Sequence, residues 1–160
     1  MTAAEVLEFY TTLERDGVRI WIDGGWGVDA LLGEQTRPHG DLDIAIQEKD
    51  VRAGRELLES RGYREVRRDS EWNFVMGDDN GHEIDFHSFV FDASDRVVEG
   101  VKYPDGSLTG TGSIDGQEVR CVAPEHMVKF RAGYELRERD IQDVTALCER
   151  FRLEYPKGFR

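Results

Sequence analysis

The apolar positions of the chain change period several times, and each change marks an element. Thr2-Ala3-Ala4-Glu5 has the Thr-x-x-Glu form of a capping box, and Val6, Phe9, Tyr10 and Leu13 then recur at helical spacing up to Asp16-Gly17, which predicts a first helix with one apolar stripe. Val18–Ile22 is a short β-branched and aromatic run closed by Asp23-Gly24-Gly25, a buried strand breaking into a tight turn, with a short helix from Trp26 to Leu32. Leu42, Ile44 and Ile46 alternate with Asp41, Asp43 and Ala45, the period of a strand with one apolar face. Asp50 opens a helix that runs to Arg61 and stops at Gly62.

Tyr63–Val66, Asn73–Met76 and Glu83–Phe89 are further strands, the last two joined by Asp78-Asp79-Asn80-Gly81, whose Asn-Gly favours a hairpin. Residues 92–116 are rich in Gly, Asp and Ser and are expected to form a long surface loop. Glu118–Val122 is one more strand. Pro124 then opens a helical stretch reaching Phe151, with Met127 and Phe130 on one stripe and Val144, Leu147 and Cys148 on another. The expected fold class is α/β (α+β): a mixed, twisted sheet flanked by helices, occupying residues 1–122, with residues 123–160 as a short helical tail packed on it.

Charge narrows the partners. The 160 residues carry 33 acidic side chains against 21 Lys and Arg, a formal charge of -12, the opposite of the basic footprint that nucleic acid selects. No apolar run approaches the roughly 20 residues of a membrane span, and the polar start lacks a signal-peptide pattern, so no membrane partner and a cytoplasmic location are expected. Cys121 and Cys148 lack any close pairing and are expected to be reduced, small hydrophobes.

The candidate chemistry centres on Asp41-Leu42-Asp43. Side chains two apart on a strand share a face, so two carboxylates project together, and a divalent hard cation is the usual resolution of that repulsion. Asp85, on the later strand His82–His87, is a third acid able to converge on them. Gly24-Gly25 ends the strand before, with fifteen residues between it and Asp41, and glycines there let phosphate oxygens approach backbone N–H groups at a helix start. An ordinary turn and a solvated strand face are the plainer alternatives for each feature taken singly.

Together these residues carry a resemblance. Trp21–Asp29, Thr36–Ile44 with its Asp41-Leu42-Asp43, Ile84–His87, Val119–Val122 and Gly133–Leu136 with Asp140 and Asp143 resemble the nucleotidyltransferase superfamily that includes DNA polymerase beta, and within it the lincosamide and aminoglycoside 2''-nucleotidyltransferases. The resemblance covers nearly the whole chain. It implies a nucleotidyltransferase fold and magnesium-dependent transfer of a nucleoside monophosphate, usually AMP from ATP, to a hydroxyl of a small antibiotic, a lincosamide first and an aminoglycoside second. Carried over by position, Asp41 and Asp43 hold Mg2+, Asp85 completes the metal site or acts as general base, and Gly24 and Gly25 hold the phosphates.

Around this centre, Arg37 is a candidate for phosphate oxygens or for a salt bridge to a surface acid, and His39 a candidate for phosphate or metal-bound water. His87 shares the face of Asp85 and is expected at the acceptor, as the resemblance also implies for Glu135 and Tyr134. Trp26, Trp72 and Tyr103 are aromatics able to stack on a base or to fill the core. Asp29 is expected to stabilise its loop through backbone hydrogen bonds. The resemblance further allows a homodimer. Two alternatives stay open at this level: a nucleotide-binding module without turnover, and a relative that modifies a protein.

Overall fold

The computed structural model describes residues 1–133 and 135–159. Helix α1 (Ala3–Arg15) begins as its capping box requires: the Glu5 backbone N–H donates to Thr2 Oγ1 at 3.2 Å and the Thr2 N–H donates to Glu5 Oε2 at 2.6 Å. The chain continues through β1 (Ile20–Asp23), α2 (Gly24–Leu32), β2 (Asp41–Gln47), α3 (Val51–Glu59), β3 (Arg64–Arg68), β4 (Asn73–Gly77), β5 (Glu83–Phe91), β6 (Val97–Gly100), β7 (Gly110–Ile114), β8 (Gln117–Cys121), α4 (Pro124–Ala132) and α5 (Glu138–Phe151).

The strands form one mixed sheet in the order β3-β4-β5-β2-β1-β8-β7, with β6 pairing the far end of β5. Its centre is β1 antiparallel to β2 and β2 parallel to β5. Leu42, Ile44 and Ile46 are fully buried, as the alternation predicts. The α3 backbone lies close over Ile46 and Phe86 at Gly54. Helix α2 packs on β1, β2 and β7 and against both α4 and α5. Met127 and Val128 of α4 and Val144, Leu147 and Cys148 of α5 belong to the same hydrophobic cluster as Trp26 and Ile22, so the tail is built into the core. Cys121 and Cys148 are free thiols and buried.

Three expectations change. The first strand extends through Asp23, and Gly24-Gly25 forms the first turn of α2 in place of a turn ahead of it. Residues 92–116, expected as a loop, contain β6 and β7, which pair along β5 and β8. Their Gly, Asp and Ser content hides strands that pair with their neighbours in the chain across short turns. The helical stretch after Pro124 divides: α4 stops at Gly133 and α5 restarts at Glu138.

That restart has a cause. The Arg137 backbone N–H donates to Asp140 Oδ2 at 3.0 Å, Asp140 is fully buried, and its other oxygen takes Arg131 Nη1 at 3.5 Å, so one carboxylate both caps α5 and ties it to α4. Asp140→Ala leaves these donors unmatched and is expected to lower the unfolding free energy by about 1–3 kcal/mol, read by denaturant unfolding, with the loss of α5 protection visible in hydrogen exchange.

Candidate active site

The strand register builds the site. Asp23 on β1 stands opposite Asp43 on β2, and Asp43 stands opposite Asp85 on β5, so three carboxylates form a row across adjacent strands on one face of the sheet. One residue pair further along β5, His87 sits opposite Ala45. His87 Nε2 lies 3.5 Å from Asp43 Oδ1 and 3.7 Å from Asp85 Oδ2. Among the described residues, Asp43, Asp85 and His87 each offer one ligand atom, all within 4.8 Å of one another. Asp41 is exposed at the start of β2, outside that close group, and lines the same cavity.

Neighbours fix each acid. Asp85 Oδ1 accepts from Asn73 Nδ2 at 2.6 Å, while Arg67 Nη2 lies 3.8 Å from Oδ2. Asp23 Oδ1 accepts from the Gly24 N–H at 2.8 Å, capping α2, and its Oδ2 accepts from the Tyr103 hydroxyl at 2.9 Å. Burial raises the proton affinity of Asp23, opposed by the Gly24 N–H and reinforced by the Asp43 charge. Burial likewise raises Asp85, with His87 opposing and Asp43 reinforcing. For His87 burial acts downward, yet the hydrogen bond to Asp43 and the charges of Asp85, Asp43 and Asp23 together outweigh it and raise the imidazole. A row of half-buried acids that pulls protons toward itself is short of positive charge, and two carboxylates beside an imidazole nitrogen are a donor set that fits a divalent cation.

The glycine pair has an added purpose. Gly24 has φ +60°, and a Cβ there would collide with the Asp43 carboxylate; a Cβ on Gly25 would stand 2.6 Å from His39 Nδ1. The start of α2 thus admits the side chains of β2 and the preceding loop at close range. Both glycines line the cavity.

The loop before β2 is strapped down by the residues expected to bind ligand. Arg37 forms a two-point ion pair with Asp143 of α5, Nη1–Oδ1 2.5 Å and Nη2–Oδ2 3.0 Å, a salt bridge to a buried acid where a surface one was the alternative reading, and it also lines the cavity. His39 is buried, its Nε2 2.5 Å from Asp29 Oδ2 and its ring against Trp26. Asp29 acts through these side chains, since its Oδ1 accepts from Thr36 Oγ1 at 2.7 Å, and not through the backbone bonds expected of it. Trp26 is core. Glu135 is exposed between α4 and α5 and is not among the described residues lining the cavity; Tyr134 lies outside the described residues.

The cavity itself measures about 580 Å³. Asp23, Asp41, Asp43 and His87 line it with acids and an imidazole, Met127, Phe130, Val101 and Tyr103 supply apolar surface, and Lys102, Arg131, Arg137 and Arg139 bring positive charge. Asp85 stands one strand behind Asp43 and meets the cavity through its contacts to Asp43 and His87. Sequence reasoning missed Asp23 and Lys102. Asp23 adjoins Gly24-Gly25 at a strand end, a usable signal; Lys102 lies within residues that had no strand pattern.

Comparisons with known proteins agree with this geometry. The family model described as aminoglycoside-2''-adenylyltransferase matches residues 5–147. A lincosamide resistance protein of Staphylococcus haemolyticus is 28% identical over 153 residues, 92% of this chain and 94% of that protein. A 2''-aminoglycoside nucleotidyltransferase of Escherichia coli is 30% identical over 113 residues, 68% of this chain and 60% of that protein. The crystal structure of a lincosamide antibiotic adenylyltransferase with lincomycin bound superposes with a TM-score of 0.82 at 25% identity, covering 92% of this chain and 96% of that one. An aminoglycoside 2''-enzyme holding adenylyl-2''-tobramycin shares the fold, with a TM-score of 0.79 at 20% identity over 93% and 88% of the two chains. No described helix is long and apolar enough to cross a membrane.

Gly24→Ala is expected to cost about 1–3 kcal/mol of stability through its left-handed backbone and to push Asp43 out of the row. Thermal unfolding reads the first effect, and loss of divalent-ion binding in calorimetry the second; an unchanged variant would show that the close approach is dispensable.

Proposed function

This chain belongs to the aminoglycoside-2''-adenylyltransferase family, and we propose that it transfers AMP from ATP to a hydroxyl of a small antibiotic, releasing pyrophosphate. The observation that carries this reading is the placing of Asp43 and Asp85 side by side with His87 at the wall of a cavity large enough for a nucleotide and part of an acceptor. The favoured acceptor is a lincosamide, because the similarity to the lincosamide resistance protein runs through nearly all of both chains. The family match favours an aminoglycoside as second reading, and an acidic cavity wall suits a cationic amino sugar.

Asp41 and Asp43 would hold Mg2+, which would supply charge neutralisation at phosphoryl oxygens and a lowered pKa for the acceptor hydroxyl. Asp85 is the base. Its Oδ1 is committed to Asn73, which leaves Oδ2 turned toward His87 and the site and able to take the hydroxyl proton. The acceptor oxygen forms its bond to the α-phosphorus as the bond from that phosphorus to the bridging oxygen breaks, and pyrophosphate leaves with the electron pair. Asp23 positions the start of α2 through Gly24, and with it the wall on which the α-phosphate rests. With the Gly24 N–H taken by Asp23, Gly25 offers the backbone N–H for phosphate and Gly24 the close approach to Asp43, whereas Arg37 and His39 hold the loop in shape.

His87 borders the cavity beside Asp43 and contacts the acceptor. Glu135, exposed between α4 and α5, would meet only an acceptor that extends out of the cavity. The reaction consumes ATP and belongs in the cytoplasm.

Asp43→Asn is expected to abolish adenylyl transfer, with a loss of at least about a thousandfold, while the fold stays intact by circular dichroism, because a neutral amide is a poor ligand for a hard cation. Asp85→Asn should lower kcat far more than it raises the KM for ATP. Mass spectrometry of lincomycin and kanamycin incubated with ATP and Mg2+ tests the acceptor: an added AMP on neither drug, nor on other members of either class, would end this reading.

A further inference from the structure

The cavity holds more positive side chains than its own acids use, and pairing separates them into two kinds. Arg37 is bound to Asp143, Arg131 to Asp140 and Asp143 at 3.5 and 3.3 Å, and Arg137 to Asp140 at 3.4 Å. Lys102 and Arg139 are exposed and line the same cavity, and among the described residues neither has a carboxylate within 4.0 Å. In a chain of net charge -12, two cations lining one cavity without a carboxylate partner among the described residues are free to meet an anionic ligand.

Their backbones are held where their head groups are free. The Val101 N–H donates to Ser88 O at 2.9 Å and the Tyr103 N–H to Val101 O at 2.8 Å, while the Tyr103 hydroxyl is tied to Asp23, so Lys102 projects from a segment anchored on both sides. Arg139 stands in the first turn of α5, whose start is capped by Asp140 and whose body is pinned by the Arg37–Asp143 pair. Fixed backbones carrying unpaired charges lower the ordering cost of binding a ligand.

We propose that Lys102 and Arg139 are the polyphosphate clamp of this enzyme, gripping the β- and γ-phosphates of the nucleotide, and then the pyrophosphate product, within the cavity that the acidic row also lines. The assignment rests on the adenylyl-transfer reading and moves phosphate recognition away from Arg37 and His39. A lysine supplies a point charge and an arginine a two-point fork, a pair suited to adjacent phosphates. The acidic row alone repels a triphosphate, and two cations in the same cavity offset that repulsion and give the β- and γ-phosphates a seat apart from the α-phosphate at the acids.

The test compares ligands that differ only in the phosphates concerned. Calorimetry with ATP, AMP and inorganic pyrophosphate, each with Mg2+, is run on the full chain and on Lys102→Met, Arg139→Gln and Arg139→Lys. Each neutral variant should bind ATP and pyrophosphate about tenfold more weakly, with AMP affinity and melting temperature unchanged, and with a raised KM for ATP but an unaltered KM for the acceptor. Arg139→Lys should recover part of the loss. ATP binding equal to the parent's, or an equal loss of AMP binding, overturns the clamp while leaving adenylyl transfer standing. A parent chain that binds neither ATP nor pyrophosphate instead overturns the reading beneath it.

Discussion

The crowding of three carboxylates on neighbouring strands is the constraint around which the rest of the molecule is arranged. Asp23, Asp43 and Asp85 occupy one row because β1, β2 and β5 are paired in one register, and like charges at that spacing are unfavourable unless something offsets them. Each acid has its own relief: the Gly24 N–H and the Tyr103 hydroxyl for Asp23, His87 for Asp43, Asn73 for Asp85. None of these removes the charge deficit, which is why burial and mutual repulsion raise Asp23 and Asp85 together. A sheet that preserves such a row is arranged to receive cations.

A second layer of buried ion pairs holds the first in place. Asp143 takes Arg37 and Arg131, Asp140 takes Arg131 and caps α5, and Asp29 takes His39 and Thr36. These contacts join the loop before β2 to α2 and α5, so the segment delivering Asp41 and Asp43 is clamped from two helices. Buried pairs of this kind add specificity of arrangement more than net stability. Arg37 and His39, which line the cavity, are held by Asp143 and Asp29 and so tie the loop's shape to the site.

That Asp41 and Asp43 share a face was legible in the sequence, because a strand's period of two sets them opposite Leu42 and Ile44 whatever the rest of the fold does. The capping box of α1 and the hairpin at Asn80-Gly81 were legible for the same reason: their physics is complete within a few residues. The strands β6 and β7 were not; in β7, Gly110 and Gly112 have little strand propensity of their own and pair because β8 supplies an edge.

By itself, then, the chain determined its periodicities, its two-acid strand and the glycines that must precede it, all interactions of short reach. Only the tertiary structure decided which acid faces which, drawing Asp23 into the row, and which cation is consumed: Arg37 meets Asp143 across 106 positions of sequence, a partnership no local pattern encodes because it exists only once α5 has docked on α2.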